Sequence, residues 1–386
     1  MSELYFHSRD TMDPFLAAML DAKPLRVSRG EYLPLSDQQI GAALGRLLSS
    51  QGIAHGRIER LRRMAGGASK EQFAFALVDE SNGHSRDLVL RMDPVDGVLE
   101  TSRRREVEVL SVMRGVVPVP DVVFQDLGGD VLGAPGIVVS LVPGVTKPAE
   151  AASGVSGLGT GFSEHWRKIL APPFVDNLAR IHSVDPADPR LASFGRPTDD
   201  PHDSALWQVN HWARVWRDDA VAGCATVALV EQWLRENLPE CPEPVVVHGD
   251  YRTGNYLFDP DSGEVTAILD WELAHIGDFH QDLALSLVEL FGTQAADGTP
   301  LCSSLMTRAE LIERYEAASG RTVNARTLAF YHVLSAWSLL IMGGATGLRA
   351  AKAKHNHQDI LLTWLSMVAH PLADELTRLL SKETFW

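Results

Sequence analysis

Side chains of the types that transfer phosphate are concentrated in one stretch, VVVHGDYRTGNYLFDPDSGEVTAILD, which runs from Val245 to Asp270. Short apolar runs surround a turn-forming DPDSG segment, so we predict strands at 245–247, 256–258 and 265–269. The loop and hairpin between these strands bring Asp250, Asn255 and Asp270 to one edge. Two carboxylates and one carboxamide are therefore expected to lie close together.

This set of groups suits the transfer of a γ-phosphoryl group from a nucleotide. Such a reaction depends mainly on positioning and on cations that neutralise the phosphate oxygens. Asn255 and Asp270 offer the oxygen ligands that Mg²⁺ prefers. Asp250 precedes them on the same loop and can accept the proton of an attacking hydroxyl. Asp and Asn also favour plain turns, but the completeness of the pattern favours the catalytic interpretation.

The spacing His248-x-Asp250-x-x-x-x-Asn255, followed by Asp270, is that of the protein-kinase catalytic loop and metal-binding Asp, with Gly249 where protein kinases have Arg. The segments HGDYRTGNYLFD and ILDWELAHIGD resemble the aminoglycoside phosphotransferase and choline kinase-like superfamily. They are most similar to the branch related to the kinase domains of the acyl-CoA dehydrogenase 10 and 11 type proteins, which phosphorylate hydroxyacyl-CoA.

The resemblance extends from the region of Gly66 to the C-terminal helices, and it implies an α+β fold. We expect a bilobal protein-kinase-like molecule with a small β-rich N-lobe at 36–142 and a larger, mostly helical C-lobe at 143–386. Residues 1–35 are expected to form an N-terminal extension packed on the outside. The resemblance makes Asp250 the catalytic base, makes Asn255 and Asp270 the Mg²⁺ ligands, and implies ATP, with GTP as the alternative nucleotide.

A glycine-rich turn, GGASK, lies between two predicted strands of the N-lobe. Turns of this kind let backbone N–H groups approach phosphate oxygens, although most Gly-Gly pairs between strands are plain hairpin turns. The likeness of GGASKEQFAF to the superfamily's nucleotide loop favours phosphate contact. The candidate residues are Gly66, Gly67, Ala68 and Ser69.

Arg91 ends the strand predicted at 87–91, at the position where many members of the superfamily have a Lys that holds the nucleotide phosphates. Arg is common there in the branch named above, and its guanidinium can contact two phosphate oxygens. On the helix predicted at 101–114, the resemblance makes Glu106 the partner of this cation. Glu108 is the rival, but two residues span about 200° of a helix, so only one faces the site.

The apolar run GIVVSLV, residues 136–142, predicts a strand that leads into the hinge of a kinase-like fold. The resemblance implies that backbone groups of the hinge bind adenine. The candidates are Ser140, Leu141 and Val142. Only backbone is required there, so the side chains give no further indication.

Composition and charge narrow the classes of partner. A formal net charge of −15 argues against nucleic acid or an anionic membrane as a partner. The three cysteines are far apart and show no metal-binding spacing, which is typical of reduced thiols in a cytoplasmic protein. The N-terminus shows no secretory signal, and the most apolar run, 333–342, is about half the length of a membrane span.

Further patterns predict structure more than chemistry. The basic run at 103–105 is more typical of a solvated helix face than of a binding patch. Asp278 is expected to anchor the backbone of the catalytic loop, and Gly343-Gly344 is expected to break the helix before it. The residues Trp207, His211, Trp212 and Trp216 recur at helical intervals, which predicts core packing; the alternative is that part of the stripe lines an apolar acceptor pocket.

These features predict a cytoplasmic, ATP- and Mg²⁺-dependent phosphotransferase that acts on the alcohol group of a small molecule. A hydroxyacyl-CoA or a related hydroxy compound is the leading acceptor, and an aminoglycoside or another antibiotic is the alternative. Arg349, Lys352 and Lys354 are candidates for contact with the phosphates of a CoA ester, with a solvated helix face as the other interpretation. A catalytically inactive nucleotide-binding pseudokinase is the alternative from another class.

Overall fold

The computed structural model describes residues 11–27, 35–53, 55–64, 70–94, 97–151, 158–353, 361–363 and 366–381. Its α-helices are α1 (Pro14–Val27), α2 (Asp37–Ser50), α3 (Arg103–Met113), α4 (Glu164–His182), α5 (Asp203–Asp219), α6 (Ala225–Glu236), α7 (His280–Leu285), α8 (Arg308–Ser319), α9 (Ala325–Ile341), α10 (Leu348–Ala353) and α11 (Ala369–Ser381). Its strands are β1 (Gly56–Arg63), β2 (Glu71–Asp79), β3 (Ser85–Met92), β4 (Val122–Asp126), β5 (Gly136–Ser140), β6 (Val245–Val247), β7 (Tyr256–Phe258), β8 (Val265–Ile268), β9 (His275–Gly277), β10 (Thr293–Gln294) and β11 (Pro300–Leu301). Single 3₁₀ turns occupy Thr253–Asn255, Trp271–Leu273, Glu289–Phe291 and Ser366–Val368, and a π-helical turn occupies Met342–Gly347.

Strands β1 to β5 form an antiparallel sheet in the order β1-β2-β3-β5-β4. Because side chains alternate along a strand, Phe73, Phe75 and Leu90 point to one face, where they pack beneath α2. Ser36 caps helix α2, and Gln39 completes a capping box. A small apolar core therefore closes this face of the sheet.

The opposite face of the sheet packs on α3. Val89 and Val139 of the sheet and Val109 and Met113 of α3 belong to one buried apolar cluster, which continues into the C-terminal helices. Arg91 lies two residues from Val89 on β3 and therefore shares this face. The alternation of the strand directs Arg91 toward α3 and away from α2.

The chain after β5 is mainly helical, which gives the small β-rich lobe and the larger helical lobe expected from the sequence. Helix α9 is buried on nearly all sides. The predicted break at Gly343-Gly344 is wrong, because the helix continues through the π-helical turn into α10. Among the described residues, the stretch Ala325–Lys352 is long and apolar enough to cross a membrane, but 78% of its most apolar window is buried inside the protein.

Two short antiparallel pairs connect the lobes and carry the phosphate-transfer motif. Strand β6 pairs with β9, and β7 pairs with β8. The Ile268 N–H of β8 donates to the Pro118 carbonyl at 2.8 Å, and Phe258 of β7 exchanges two backbone hydrogen bonds with Val145 at 2.9 and 3.0 Å. These bonds tie the hairpin to the segments that enter and leave the N-lobe.

Helix α1 is part of the main core. Met12 and Leu20 are buried in the large apolar cluster, and the Asn210 amide of α5 donates to the Thr11 carbonyl at 2.7 Å. The prediction that the N-terminal extension packs on the outside is therefore wrong for its described part. Residues 1–10 and 28–34 lie outside the described residues.

Candidate active site

The catalytic loop leaves β6 at His248, whose imidazole is fully buried. Its Nε2 donates to the Leu269 carbonyl at 3.0 Å, and its Nδ1 accepts the Asp250 N–H at 3.2 Å. These two partners require a neutral ring protonated at Nε2, and burial correspondingly lowers the pKa of His248. His248 therefore fixes the backbone direction of Asp250 against the end of β8, as a supporting residue should.

The anchor of the loop backbone is Asp282, in the first turn of α7. Its carboxylate accepts the His248 N–H at 2.8 Å and the Gly249 N–H at 2.9 Å, and it also contacts Nε2 of His182 at 3.1 Å. Burial acts to raise the pKa of Asp282, but the hydrogen bonds and the His182 ring outweigh it and lower the pKa overall. Asp282 is fully buried and bonded as an anion.

The role predicted for Asp278 is therefore wrong. Asp278 Oδ1 instead accepts the backbone N–H of His280 at 2.9 Å and contacts the Nδ1 of the same ring at 2.6 Å. Asp278 orients His280, whose Nε2 accepts the Asn324 N–H at 3.0 Å. Asp278 lies just before α7 and Asp282 lies in its first turn. Only their contacts in the folded protein show which of the two anchors the loop.

Gly249 has no room for a side chain. Its φ is +84°, and a Cβ built there would lie 2.5 Å from the Leu273 carbonyl oxygen. The loop passes so close to the 271–273 turn that a larger residue would displace one of the two segments. This explains why Gly stands where the protein-kinase pattern has Arg.

Asp250 is held by its neighbours on the same loop. The Asn255 amide Nδ2 donates to Asp250 Oδ2 at 2.6 Å and to the Asp250 carbonyl at 2.9 Å, and Arg252 Nε donates to Asp250 Oδ1 at 3.0 Å. Desolvation raises the pKa of the Asp250 carboxyl, while Arg252 opposes the shift and Asp270 adds to it. The carboxylate keeps 22% of its surface exposed, so a substrate can reach it.

Asp270 lies beside Asn255 because the Leu269 N–H donates to the Asn255 carbonyl at 2.8 Å. Its backbone is left-handed, with φ +62° and ψ +51°, and its side chain is 37% exposed. Since Nδ2 of Asn255 is turned to Asp250, the amide oxygen of Asn255 is the atom left for a metal. One carboxylate and one amide oxygen are a donor set that fits Mg²⁺, which takes its remaining ligands from water and phosphate.

Arg91 connects the N-lobe to this hairpin. One guanidinium nitrogen lies 2.9 Å from Glu106 Oε1, and another donates to Asp270 Oδ1 at 2.7 Å. The pairing expected between Arg91 and Glu106 is present. Glu108 points elsewhere and accepts the backbone N–H and the hydroxyl of Ser193 at 2.9 and 2.7 Å.

A buried cluster of charged side chains lies beside Arg91, and the sequence did not indicate it. Arg103, whose side chain has no exposed surface, contacts Glu106, Asp93 Oδ1 at 3.1 Å and Glu272 Oε2 at 3.3 Å. Lys70 donates to Thr101 at 2.5 Å and contacts Asp93 and Glu272 at 3.2 and 3.4 Å. The cluster crosses from the N-lobe to the DWE segment.

The solvated face predicted for 103–105 is wrong for two of the three residues. Arg103 and Arg105 are buried, and Arg104 alone is exposed. Arg103 contacts Asp93 and Glu272, and Arg105 contacts Asp13 and the Ser193 carbonyl. A run of like charges in the sequence does not indicate such buried partners. The signal that could have found Lys70 is its place directly after the glycine-rich turn.

The hinge residues lie at the end of β5, which stops at Ser140, two residues earlier than predicted. The Ser140 N–H donates to the Asp121 carbonyl at 2.9 Å, and the Leu141 N–H donates to the Asp87 carbonyl at 3.0 Å. Within the described part of the chain, the Val142 N–H has no hydrogen-bond partner. The candidate phosphate loop, Gly66, Gly67, Ala68 and Ser69, lies outside the described residues.

Comparison with known proteins identifies the family. The family model of the phosphotransferase enzyme family (APH) matches residues 60–331 of the chain. The chain belongs to the APH phosphotransferase family. It is 30% identical over 209 residues to acyl-CoA dehydrogenase family member 10 of Mus musculus, an alignment that covers 53% of this chain and 18% of that protein. The chain spans less than two-fifths of the length of the first curated relatives it matches.

Solved structures share the fold of this APH phosphotransferase. A protein from Ralstonia eutropha, provisionally described as an aminoglycoside phosphotransferase, has a TM-score of 0.64 and 21% identity, with 87% of this chain and 97% of that chain covered. A thermostable mutant of aminoglycoside phosphotransferase APH(4)-Ia, in a ternary complex with AMP-PNP and hygromycin B, has a TM-score of 0.56 and 17% identity, with 86% and 98% covered. Family and fold together show that this chain has the phosphotransferase fold of the APH family.

A narrow cavity of about 50 Å³ lies next to the catalytic loop. Asp250 and Glu272 line it together with residues of both lobes and of α1, among them Leu16, Arg105, His211 and Trp212. The aromatic stripe on α5 therefore contributes two of its four members to this cavity. The expectation that part of the stripe lines a pocket agrees with the position of His211 and Trp212.

Further residues lie around the catalytic loop or at a distance from it. His182 is buried behind the loop, where it contacts the loop anchor Asp282 at 3.1 Å and the Tyr315 hydroxyl at 2.8 Å. Arg349 contacts Asp219 at 2.9 Å and is only 17% exposed, so it does not lie on a solvated face. Lys352 is exposed, and Lys354 lies outside the described residues.

Proposed function

We propose that this phosphotransferase moves the γ-phosphate of ATP to the hydroxyl of a hydroxyacyl compound, with a hydroxyacyl-CoA as the leading acceptor. The observation that carries the proposal is the convergence of Asp250, Asn255 and Asp270 beside the acceptor cavity. Asp250 lines the cavity, and Asp270 is joined to the Arg91–Glu106 pair of the N-lobe. The proposed acceptor site and the proposed nucleotide site therefore adjoin at Asp250 and Asp270.

Each residue has a distinct part in this reaction. The acceptor oxygen attacks the γ-phosphorus, its proton passes to a carboxylate oxygen of Asp250, and ADP leaves with the electrons of the broken P–O bond. Asn255 holds Asp250 through its amide N–H groups. The Asp270 carboxylate and the Asn255 amide oxygen would hold Mg²⁺, which would supply positive charge to offset that of the phosphates.

The nucleotide contacts are proposed from the position of three features. Arg91 bonds Asp270 directly, so its guanidinium lies beside the proposed metal ligand, where it is placed to contact phosphate oxygens. Within the described residues, the Val142 N–H of the hinge has no hydrogen-bond partner, which supports an adenine contact there. Gly66, Gly67, Ala68 and Ser69 remain the proposed phosphate loop.

The charges around the cavity support a hydroxyacyl acceptor over a polycation. Of the carboxylates that line it, Glu272 contacts Lys70 and Arg103, and Glu100 lies 3.9 Å from Lys23. Asp250, the third carboxylate in the cavity wall, is the proposed catalytic base. An aminoglycoside would require several more acidic groups that are not already paired, whereas the apolar wall formed by residues such as Leu16 and Trp212 suits an acyl chain.

The proposed setting is the cytoplasm, with a small molecule as partner and without nucleic acid or membrane. The high negative charge and the three separate thiols, Cys224, Cys241 and Cys302, support this. The first curated relatives are named acyl-CoA dehydrogenase family members, which supports an acyl-CoA acceptor, whereas a further relative, hygromycin-B 4-O-kinase of Escherichia coli, supports the aminoglycoside alternative.

The test is ADP release by the purified protein with Mg-ATP across an acceptor panel. The panel contains 3- and 4-hydroxyacyl-CoA esters, aminoglycosides including hygromycin B, and macrolides. We expect turnover with hydroxyacyl-CoA esters. If only aminoglycosides or macrolides were phosphorylated, the proposed acceptor would be wrong and one of these antibiotics would take its place. Absence of ADP formation with any acceptor, alongside a clear Mg-ATP thermal shift, would favour a pseudokinase.

A further inference from the structure

The guanidinium of Arg103 contacts a different carboxylate with each of its three nitrogens. Nε lies 3.1 Å from Asp93 Oδ1, Nη2 donates to Glu272 Oε2 at 3.3 Å, and Nη1 donates to Glu106 Oε2. The side chain has no exposed surface. A planar guanidinium holds its partners in fixed directions, which a flexible ammonium group does not. Arg103 therefore fixes the three carboxylates relative to one another.

The carboxylate of Glu106 is held between two arginines. Its Oε2 accepts a hydrogen bond from Arg103, and its Oε1 lies 2.9 Å from Nη1 of Arg91. Glu106 is buried, so contacts within the protein and not bulk water decide how its carboxylate is turned. Because both oxygens belong to one planar group, the contact with Arg103 sets the direction in which Glu106 faces Arg91.

The same cluster of charges reaches the C-lobe at two points. Arg91 Nη2 donates to Asp270 Oδ1 at 2.7 Å, and Arg103 Nη2 donates to Glu272, two residues further along the chain. Trp271, between these two acids, is buried in the main core. The positions of Arg91 and Arg103 relative to the catalytic loop are therefore set by one short segment.

We propose that Arg103 is a positioning residue for the nucleotide: through Glu106 it sets the direction in which Arg91 meets the phosphates of ATP. Its contact with Glu272 fixes that direction relative to the catalytic loop. Because Arg103 is fully buried, it affects the nucleotide through other residues and not by contact. This inference rests on the proposed function, in which Arg91 contacts the phosphates. An arginine with a purely structural role would change stability and leave nucleotide affinity as it is.

The first test is Arg103→Lys, which keeps the charge but loses the contact with three carboxylates at once. Lys70 lies 3.2 Å from Asp93 and 3.4 Å from Glu272, so these acids keep a cation and the variant should fold. We expect the Kd for Mg-AMP-PNP, measured by isothermal titration calorimetry, to rise about tenfold because Arg91 is no longer held in place. The measurement needs neither turnover nor an acceptor. An unchanged Kd would overturn the inference.

A double-mutant cycle shows whether Arg103 acts through Arg91. Arg91→Met should raise the Kd for Mg-AMP-PNP at least about tenfold, because a cation that contacts the phosphates is lost. If Arg103 acts through Arg91, adding Arg103→Lys to Arg91→Met should raise the Kd further by less than about twofold. Full additivity of the two effects would overturn the inference and leave the proposed function standing. A wild-type Kd in Arg91→Met would contradict both, since Arg91 would then not contact the phosphates.

The matched control is Arg105→Lys, on the same helix. Arg105 is buried like Arg103, but its partners are Asp13 and the Ser193 carbonyl, each at 2.6 Å. Both variants should lower the melting temperature of the ligand-free protein, but Arg105→Lys should leave the Kd for Mg-AMP-PNP unchanged. An equal rise in Kd in the two variants would overturn the inference, because it would show a general effect of loosening α3.

A second variant disturbs Arg103 from the C-lobe. Glu272→Gln removes the charge that Arg103 Nη2 contacts and keeps the shape of the side chain. It should raise the Kd for Mg-AMP-PNP about threefold, and this rise should also disappear in the Arg91→Met background. If Arg103→Lys does not fold, this cycle decides alone. An additive effect of Glu272→Gln, or none, would then overturn the inference.

Discussion

At the scale of single residues, the site depends on an aspartate that is both desolvated and hydrogen-bonded. The Asn255 amide holds one oxygen of Asp250, and Arg252 holds the other. Desolvation raises the pKa of Asp250, which makes the carboxylate a stronger base than an ordinary surface Asp.

The pH dependence of the reaction follows from this pKa. A base must be unprotonated, so kcat/KM should fall as pH drops through a value above that of an ordinary Asp. Arg252→Gln removes a cation that lowers the pKa, so the acidic limb should move to higher pH. The measurement is a pH profile of kcat/KM, with Arg190→Gln, at an exposed pair with Asp188, as the control. A limb that moved to lower pH in Arg252→Gln would contradict this assignment.

The sequence could predict the positions of Asp250, Asn255 and Asp270 because they lie on one loop and one hairpin. It did not indicate Lys70 or Arg103, since their partners Asp93 and Glu272 lie on other segments of the chain. The sequence also does not show whether a buried polar side chain such as that of His211 has a hydrogen-bond partner, because this depends on every neighbour in space.

At the scale of elements, the catalytic loop is carried by strands of three residues. Strands of this length have little stability of their own. Asp282 compensates by fastening two backbone N–H groups of the loop and the His182 ring to the start of α7. The anchor acts between elements that are far apart along the chain.

Loss of that anchor should be costly. Asp282→Asn replaces a fully buried anion that accepts several hydrogen bonds, and we expect it to lower the free energy of unfolding by about 3 kcal/mol. Because the folded-state pKa of Asp282 is depressed, its contribution is present above pH of about 4 and is lost as pH falls through the folded pKa. Urea denaturation at pH 7 and pH 3 measures both effects.

The matched control is Asp259→Asn in the turn of the β7–β8 hairpin, where Asn preserves the side-chain hydrogen bonds to the turn backbone. It should change stability by only a few tenths of a kcal/mol. An Asp282→Asn protein as stable as the Asp259→Asn protein would show that the loop has another anchor.

Elements with strong local signals were predictable, and those decided by packing were not. The capping box formed by Ser36 and Gln39 at the start of α2 is a signal of this local kind. Gly343-Gly344 misled because a helix packed on nearly all sides tolerates glycines that would end an exposed helix. Asp278 and Asp282 are equivalent in sequence terms, and the choice between them depends on how α7 meets β6.

At the scale of the whole molecule, α1 joins the two lobes around the acceptor cavity. Asp13 pairs with Arg105 of the N-lobe, and Lys23 pairs with Asp219 of α5, which also contacts Arg349. Leu16 lies between these contacts and lines the cavity. This segment lacks clear periodicity, so its place in the core could not be predicted from sequence.

Removing the Lys23 side chain's charge from its pair with Asp219 should lower the stability of the whole molecule. Lys23→Met takes a buried cation from Asp219, whose side chain is 1% exposed, and should cost about 3 kcal/mol of unfolding free energy. Lys168→Met breaks an exposed pair with Glu164, in which the two side chains are 75% and 70% exposed, and should cost less than about 0.5 kcal/mol. Equal effects in urea denaturation would show that α1 is not part of the cooperative core.

The central claim is that Asp250 removes the proton of the acceptor hydroxyl within a site that binds Mg-ATP independently of it. The direct measurement is transfer of ³²P from γ-labelled ATP to the best acceptor of the panel, in wild type and in Asp250→Asn. We predict that transfer falls by about 10³-fold while the rise in melting temperature with Mg-ATP persists. Transfer at the wild-type rate by Asp250→Asn would contradict the account.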